Sequence, residues 1–233
     1  MCGRFALGRS PDDLREFFGL AETPEASPRY NIAPSTPILA VREIDGQRRA
    51  DPLHWSLIPY WAKEVKTGYT TINARAETVD TTPSFRKPFR KRRCLIPADG
   101  FYEWQAQEGG KAKQPYYISR RDGTPMAFAG LWDRWEDRGS DEVIESCTII
   151  VTFANKRLEP IHDRMPVLLD PEAFATWLDP ENQDKEALKG LLRPYPGDAL
   201  QAVPVSRRVN NPRNDDPGLV ERAGDPTSGG GTS

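Results

Sequence analysis

The sequence predicts a single β-rich α+β domain with a few short helices. Three observations predict it. Twenty-two of the 233 residues are proline, about twice the usual share, and proline breaks helix interiors and sheet ladders alike. Runs rich in β-branched and aromatic residues recur along the chain. Helical signals are confined to short stretches beginning at capping residues. No linker or internal repeat divides the chain, and its length suits one large domain. The expected domain spans residues 2–217, with residues 218–233, polar and ending in a glycine run, expected to be a disordered tail.

The first element is a helix over 10–19, SPDDLREFFG. Ser10 suits the N-cap, Pro11 the first helical position, and Asp12 and Asp13 the positive end of the dipole; Gly19 stops it. Strands are then expected at 36–43 (TPILAVRE), 54–57 (HWSL), 114–120 (QPYYISR), 126–132 (MAFAGLW) and 143–153 (VIESCTIIVTF). Two helices close the series. One opens at Asp170–Pro171, the other at Asp179–Pro180 and runs to about Leu192, both with an Asp-cap, Pro-first pattern.

Composition narrows the function. Six Trp, seven Tyr and nine Phe need a core, so a fully disordered chain is excluded. Three cysteines cannot close a disulfide framework and none lies in CxxC spacing. With two histidines, no structural metal site is expected, and no organic cofactor has a visible site. No apolar run is long enough to span a membrane, and the start, MCGRFALGRS, lacks a signal-peptide core. A cytoplasmic, reducing setting is expected. The net charge of −2 is uneven: residues 1–100 hold 16 basic and 12 acidic residues, residues 101–233 hold 16 and 22. The sharpest cluster is SFRKPFRKRR (84–93), with six basic residues and no acid. It is either a solvated face or a phosphate-binding stripe.

Several residues could carry chemistry. Removing Met1 would leave Cys2 with a free α-amine beside its thiol. An α-amine titrates near 7.7–8, roughly, far below lysine, so it is partly neutral and nucleophilic at pH 7. It can condense with an aldehyde to an imine, and a thiolate beside it can close a five-membered thiazolidine. Cys94 and Cys147 sit in apolar runs and are expected to be buried and inert. His162, in PIHDRMP (160–166), is an acid–base candidate or a loop histidine in local ion pairs. His54 reads as structural. Glu103, between Tyr102 and Trp104, becomes a better proton donor if buried and is ordinary if exposed. Asn73 and Arg75 lie two apart on one strand face, where Arg75 could clamp a phosphate and Asn73 an oxygen. Trp61 could stack on a base or pack in the core.

Taken together, MCGRF, RYNIAP (29–34), WSLIPYWAK (55–63), INARAET (72–78), CLIPADGFYEW (94–104), IHDRMP (161–166) and VNNPRNDDP (209–217) resemble the SRAP family, the SOS-response-associated peptidase or abasic-site-processing proteins. The resemblance covers residues 2–217. It implies a positively charged groove for single-stranded DNA carrying abasic sites, in a monomer that is nucleoid-associated when crosslinked. It implies that Cys2, once Met1 is removed, forms a thiazolidine crosslink that shields the lesion. Asn73 then matches the asparagine holding the opened sugar, Glu103 the catalytic glutamate, and His162 the histidine assisting imine chemistry and reversal. Arg4, Arg75 and Arg164 match phosphate contacts; Pro34, Trp61 and Thr152 match groove residues near the lesion. Two departures stand out: Trp61 is followed by Ala62 where some members carry a second aromatic, and Pro83 stands near an arginine of one member type. Two other readings remain: a thiol peptidase built on Cys2, His162 and Glu103, and a noncatalytic single-strand-binding module.

Overall fold

The computed structural model describes residues 2–224, apart from 66–70, 108, 111 and 138. It is a mixed, mostly sheet fold in one domain. The elements, in order, are β1 (Phe5–Leu7), α1 (Pro11–Phe18), β2 (Arg29–Ile32), β3 (Pro37–Ile44), β4 (Gln47–Trp55), β5 (Asn73–Arg75), α2 (Arg86–Lys91), β6 (Arg93–Ala98), β7 (Gly100–Gln105), β8 (Gln114–Arg120), β9 (Met126–Glu136), β10 (Val143–Phe153), β11 (Arg164–Pro166), α3 (Pro171–Leu178), α4 (Lys185–Gly190) and β12 (Leu200–Pro204).

Two sheets form. The smaller has the order β12-β8-β7-β1-β2; the larger runs β11-β10-β4-β3-β6-β9. In the larger sheet β9 also pairs with β10, from Val143↔Glu136 to Ile149↔Gly130, so the pairing closes on itself. Closure leaves no open edge along that circuit. The short strand β5 adds to β10 in parallel, with Asn73 opposite Ile149.

Aromatic residues join the sheets. Phe5 of β1 meets Trp55 edge-on at 5.3 Å between ring centres and Phe128 at 5.9 Å. Phe101, opposite Phe5 in the register, meets Phe128 at 6.0 Å. Edge-to-face packing of this kind adds to area burial. The buried indole of Trp55 donates to the Ile72 carbonyl at 3.0 Å, which ties the segment before β5 to β4. Gly100 is required by close approach: a Cβ there would lie 2.4 Å from the Ile118 carbonyl oxygen.

The helices follow local rules, with two corrections. Ser10 caps α1 by accepting from the Asp13 amide at 3.1 Å, and Gly19 ends it at φ 62°. Asp170 does precede α3, but its carboxylate accepts from Arg120 and from the Tyr195 hydroxyl instead of capping. The helix expected from Asp179–Pro180 begins instead at Lys185, capped by Asp184. The buried Arg93 takes the Asp179 and Asn182 carbonyls, which holds 179–182 as a turn. The strand expected at 54–57 is the end of the longer β4, and Ser56 and Leu57 lie beyond it. The basic run forms α2, a short helix absent from the sequence reading.

At the end of the chain, Leu219 is buried against Tyr102, Tyr117 and Val209, and Arg222 bridges to Val205. The packed chain therefore continues past residue 217. Residues 225–233, the rest of the expected tail, lie outside the described residues.

Phe5 anchors β1 of the smaller sheet against Trp55 and Phe128 of the larger one, so Phe5→Ala is expected to cost about 3–5 kcal/mol. Chemical unfolding checks this; a loss below about 1 kcal/mol would mean that the aromatic cluster is not what holds β1.

Candidate functional site

The site begins at the first described residue. Backbone pairing seats β1 between β2 and β7: Phe5 faces both Ile32 and Phe101, and the Tyr102 amide donates to the Arg4 carbonyl at 2.9 Å. This places Glu103 beside the chain start and leaves Cys2 fully buried. From the other sheet, Asn73 Nδ2 donates to the Cys2 carbonyl at 2.9 Å. Asn73 Oδ1 is buried and has no hydrogen-bond partner among the described residues. A buried acceptor left open costs about 1–3 kcal/mol, and such an atom calls for an explanation, a ligand donor among them.

His162 arrives on the loop between β10 and β11. That loop turns on itself, with the Ile161 and His162 amides on the Leu158 carbonyl, and is tied to β7 by Gln105 Nε2 donating to the Pro160 carbonyl at 3.0 Å. The Arg164 amide donates to His162 Nδ1 at 3.0 Å. In the neutral ring this assigns the proton to Nε2, which lies 3.9 Å from Glu103 Oε2. That gap is too long for a hydrogen bond and suits a bridging atom between them. The Asp163 carboxylate, 2.9 Å from Nδ1, is in place to accept a proton from the charged ring.

Burial sets the protonation states. It raises the Glu103 carboxyl to about 7. It also raises the Cys2 thiol strongly, helped by the nearby Glu103 charge. It lowers His162 below its ordinary value. The dry surroundings thus favour the neutral form of all three groups. Closure by a thiolate therefore requires the Cys2 thiol to give up its proton as sulfur attacks. Cys94 and Cys147 are wholly buried, and burial raises both thiols.

The structure brings Cys2, Asn73, Glu103 and His162 together. Thr152 is buried on β10 opposite Met165, beside β11, which starts at Arg164. Arg75, two residues along β5 from Asn73, is exposed, although Ala74 and Ala76 on either side of it are buried. Pro34 sits in the β2–β3 turn next to Ser35, whose φ is 64°. Arg4 braces the fold: its Nη1 donates to Asn31 Oδ1 at 2.7 Å and to the Val209 carbonyl at 2.8 Å. Trp61 is 50 % exposed and borders a cleft of about 470 Å³ lined also by Leu57, Pro59 and Ser84. Ala62 offers no ring, but Tyr60 beside Trp61 is 47 % exposed, with Lys87 Nζ 3.5 Å from its ring centre. Of the basic run, Arg86, Lys87, Arg90 and Lys91 are exposed, whereas Arg93 is buried and Arg92 pairs with Asp133. Pro83 is exposed just ahead of this helix.

Three residues were missed by the sequence reading. Asn31, in RYNIAP, binds the carbonyls of Val209, Asn211 and Asn214 and so closes the domain. Glu77 holds Arg164, and Phe153 lies beneath it. Among the described residues no group of three or more His, Cys, Asp or Glu could hold a metal ion, and no helix is long and apolar enough to cross a membrane.

The sequence matches the family described as SOS response associated peptidase (SRAP) over residues 1–212. The chain belongs to the SRAP family. Among relatives, the abasic site processing protein YoqW of Bacillus subtilis is 46 % identical over 224 residues, spanning 95 % of this chain and 99 % of its own. YedK of Escherichia coli, also named an abasic site processing protein, is 34 % identical over 228 residues, again with 95 % and 99 % covered. The mouse protein HMCES, of the same description, is 36 % identical over 229 residues, covering 82 % of this chain and 64 % of its own. A solved structure from Bacteroides thetaiotaomicron superposes with a TM-score of 0.84 at 27 % identity, over 95 % of this chain and all of that one. This SRAP chain therefore carries its buried Cys2 on a fold shared with that protein.

The raised Glu103 carboxyl makes a measurable claim about stability. Between pH 4.5, its ordinary value, and about 7 the folded chain holds a proton that the unfolded chain has lost. Stability contributed by this group therefore falls as pH rises through that window. Glu103→Gln escapes the penalty. It is expected to unfold at higher denaturant than wild type at pH 8, by on the order of 1–3 kcal/mol, with the difference vanishing below pH 4.5. Equal stability at both pH values would show that the carboxyl titrates normally.

Proposed function

We propose that this chain captures abasic sites in single-stranded DNA as a covalent thiazolidine crosslink through Cys2, after removal of Met1. One observation carries the reading: the cysteine next to the initiator is buried, with Asn73 on its carbonyl and a proton-holding Glu103 beside it.

The residues support an ordered mechanism. An abasic sugar is a cyclic hemiacetal. Glu103, protonated near neutral pH, gives a proton to the ring oxygen while the anomeric hydroxyl gives up its own to water, so that the carbon–oxygen ring bond breaks and the aldehyde forms. Asn73 Oδ1 accepts a hydrogen bond from the freed sugar hydroxyl. The Cys2 amine adds to the aldehyde carbon; water then leaves to form the imine. His162 Nε2, between Glu103 and solvent, moves the proton that leaves with that water. The Cys2 sulfur adds to the imine carbon, its proton passing to the imine nitrogen through Glu103 or His162. The net change is loss of one water, with a carbon–nitrogen and a carbon–sulfur bond formed. An imine left in place acidifies the adjacent carbon and invites β-elimination, which cuts the strand. Ring closure removes the imine, so the chemistry is lyase-like only until sulfur closes. Arg75, Arg164 and the exposed arm of α2 offer positive charge to phosphates, Pro34 and Thr152 border the lesion, and Trp61 offers a stacking face.

The peptidase reading is weaker. A thiol nucleophile acting on peptides needs a lowered pKa, whereas burial raises this one. The single peptide bond this account requires broken is that between Met1 and Cys2.

The test is a denaturing gel of protein mixed with single-stranded DNA carrying one abasic site. A retarded band is expected from wild type and none from Cys2→Ala. Cys2→Ser, which keeps the amine, is expected to lose the stable band and to cut some of the strand. Asn73→Ala is expected to slow band formation by about tenfold to a hundredfold. No band from wild type with Met1 absent by mass, or cleavage of peptides in trans that Cys2→Ala abolishes, would overturn the reading.

A further inference from the structure

β10 is buried from Ser146 through Thr152 and then ends on Phe153, which is 57 % exposed. A lone exposed aromatic on a surface needs no explanation, but this one has a built setting. Its cross-strand partner is Arg164, and the Ala154 amide bonds to the Asp163 carbonyl at 2.9 Å, so the strand pairing runs to the edge of the His162 loop. The Arg164 guanidinium carbon lies 4.0 Å from the Phe153 ring centre. Glu77 Oε1 holds Arg164 Nη1 at 2.7 Å, and Lys189 reaches back to the Glu77 carbonyl at 3.3 Å. The same Arg164 gives its backbone amide to His162 Nδ1. The ring is therefore backed on one side by a pinned cation, open to solvent elsewhere, and one strand pair from the histidine of the site.

We infer that Phe153 is a stacking platform for a nucleobase flanking the abasic sugar. The inference deepens the abasic-site reading and rests on it. An abasic site leaves its neighbouring bases without a stacking partner, and a π-face fixed beside the reacting sugar can supply one. A base on an aromatic ring gains about 1–3 kcal/mol whatever its identity, with purines offering more overlap. The cation behind the ring limits its motion and leaves the remaining face for the base. Glu77 acts through Arg164 as a positioning residue: it holds the guanidinium against Phe153. Because the ring lies at a strand end and is exposed, its removal leaves the core intact.

The test uses single strands that differ only in what flanks one abasic site: adenines, thymines or base-less spacers. Crosslinking is timed at subsaturating and saturating protein. Phe153→Ala is expected to lower the subsaturating rate about tenfold with adenine flanks, less with thymine, and not at all with spacers, leaving the saturating rate unchanged. Phe153→Trp is expected to keep wild-type behaviour, and Phe153→Leu, apolar but without a π-face, to behave like alanine. An equal loss on all three strands, or none on any, would overturn the inference while leaving the crosslinking reading in place. Failure of wild type to crosslink any strand would remove both.

Discussion

Everything in the site depends on one constraint: the first strand of the chain is an inner strand. Chain ends usually fray. Here β1 is bonded on both sides, by β2 and β7, and Phe5 is locked between Trp55 and Phe128. Arg4 adds a brace to Asn31 and to the Val209 carbonyl. A residue three positions before Phe5 therefore has a fixed place. The α-amine of a terminal residue is ordinarily mobile and solvated; on this scaffold it would sit at a defined point between two sheets.

The same burial sets the chemistry. Removing water disfavours charge, so the Cys2 and Glu103 acids are raised and His162 is lowered. Each group is shifted toward the state the proposed sequence begins from: a thiol, a carboxylic acid and a neutral ring. The Arg164 amide fixes which ring nitrogen faces Glu103. Proton transfer can then run through a short set of groups instead of bulk water. In the proposed sequence, burial at Cys2 and Glu103 limits the water that reaches the imine before sulfur closes.

Much of this was legible in the sequence, for physical reasons. The strong strands at 114–120 and 143–153 coincide with β8 and β10 because β-branched and aromatic residues dominate them. Helix α1 was readable because its cap, proline and terminal glycine all act locally. The false start at Asp179–Pro180 shows the limit: the pattern was right, but Arg93, distant in sequence, captured the carbonyls. In the site, Cys2 and Glu103 were visible by position and neighbours, whereas the thiol's protonation state was not, because burial is a tertiary property. Phe153 was hidden at the end of a β-branched run, where no alternation marks the residue that leaves the core. Glu77 gave no signal at all; its role exists only once Arg164 folds over Phe153.

The central claim is that the thiol of Cys2, and not its amine alone, ends bonded to the sugar. The most direct measurement is a carbon NMR spectrum of the crosslink made with DNA labelled with carbon-13 at C1′ of the abasic site. The account predicts a tetrahedral carbon bonded to both nitrogen and sulfur, which borohydride leaves unchanged. A trigonal imine carbon that borohydride reduces would contradict it, and would make the chain a lyase-type imine former instead of a shield.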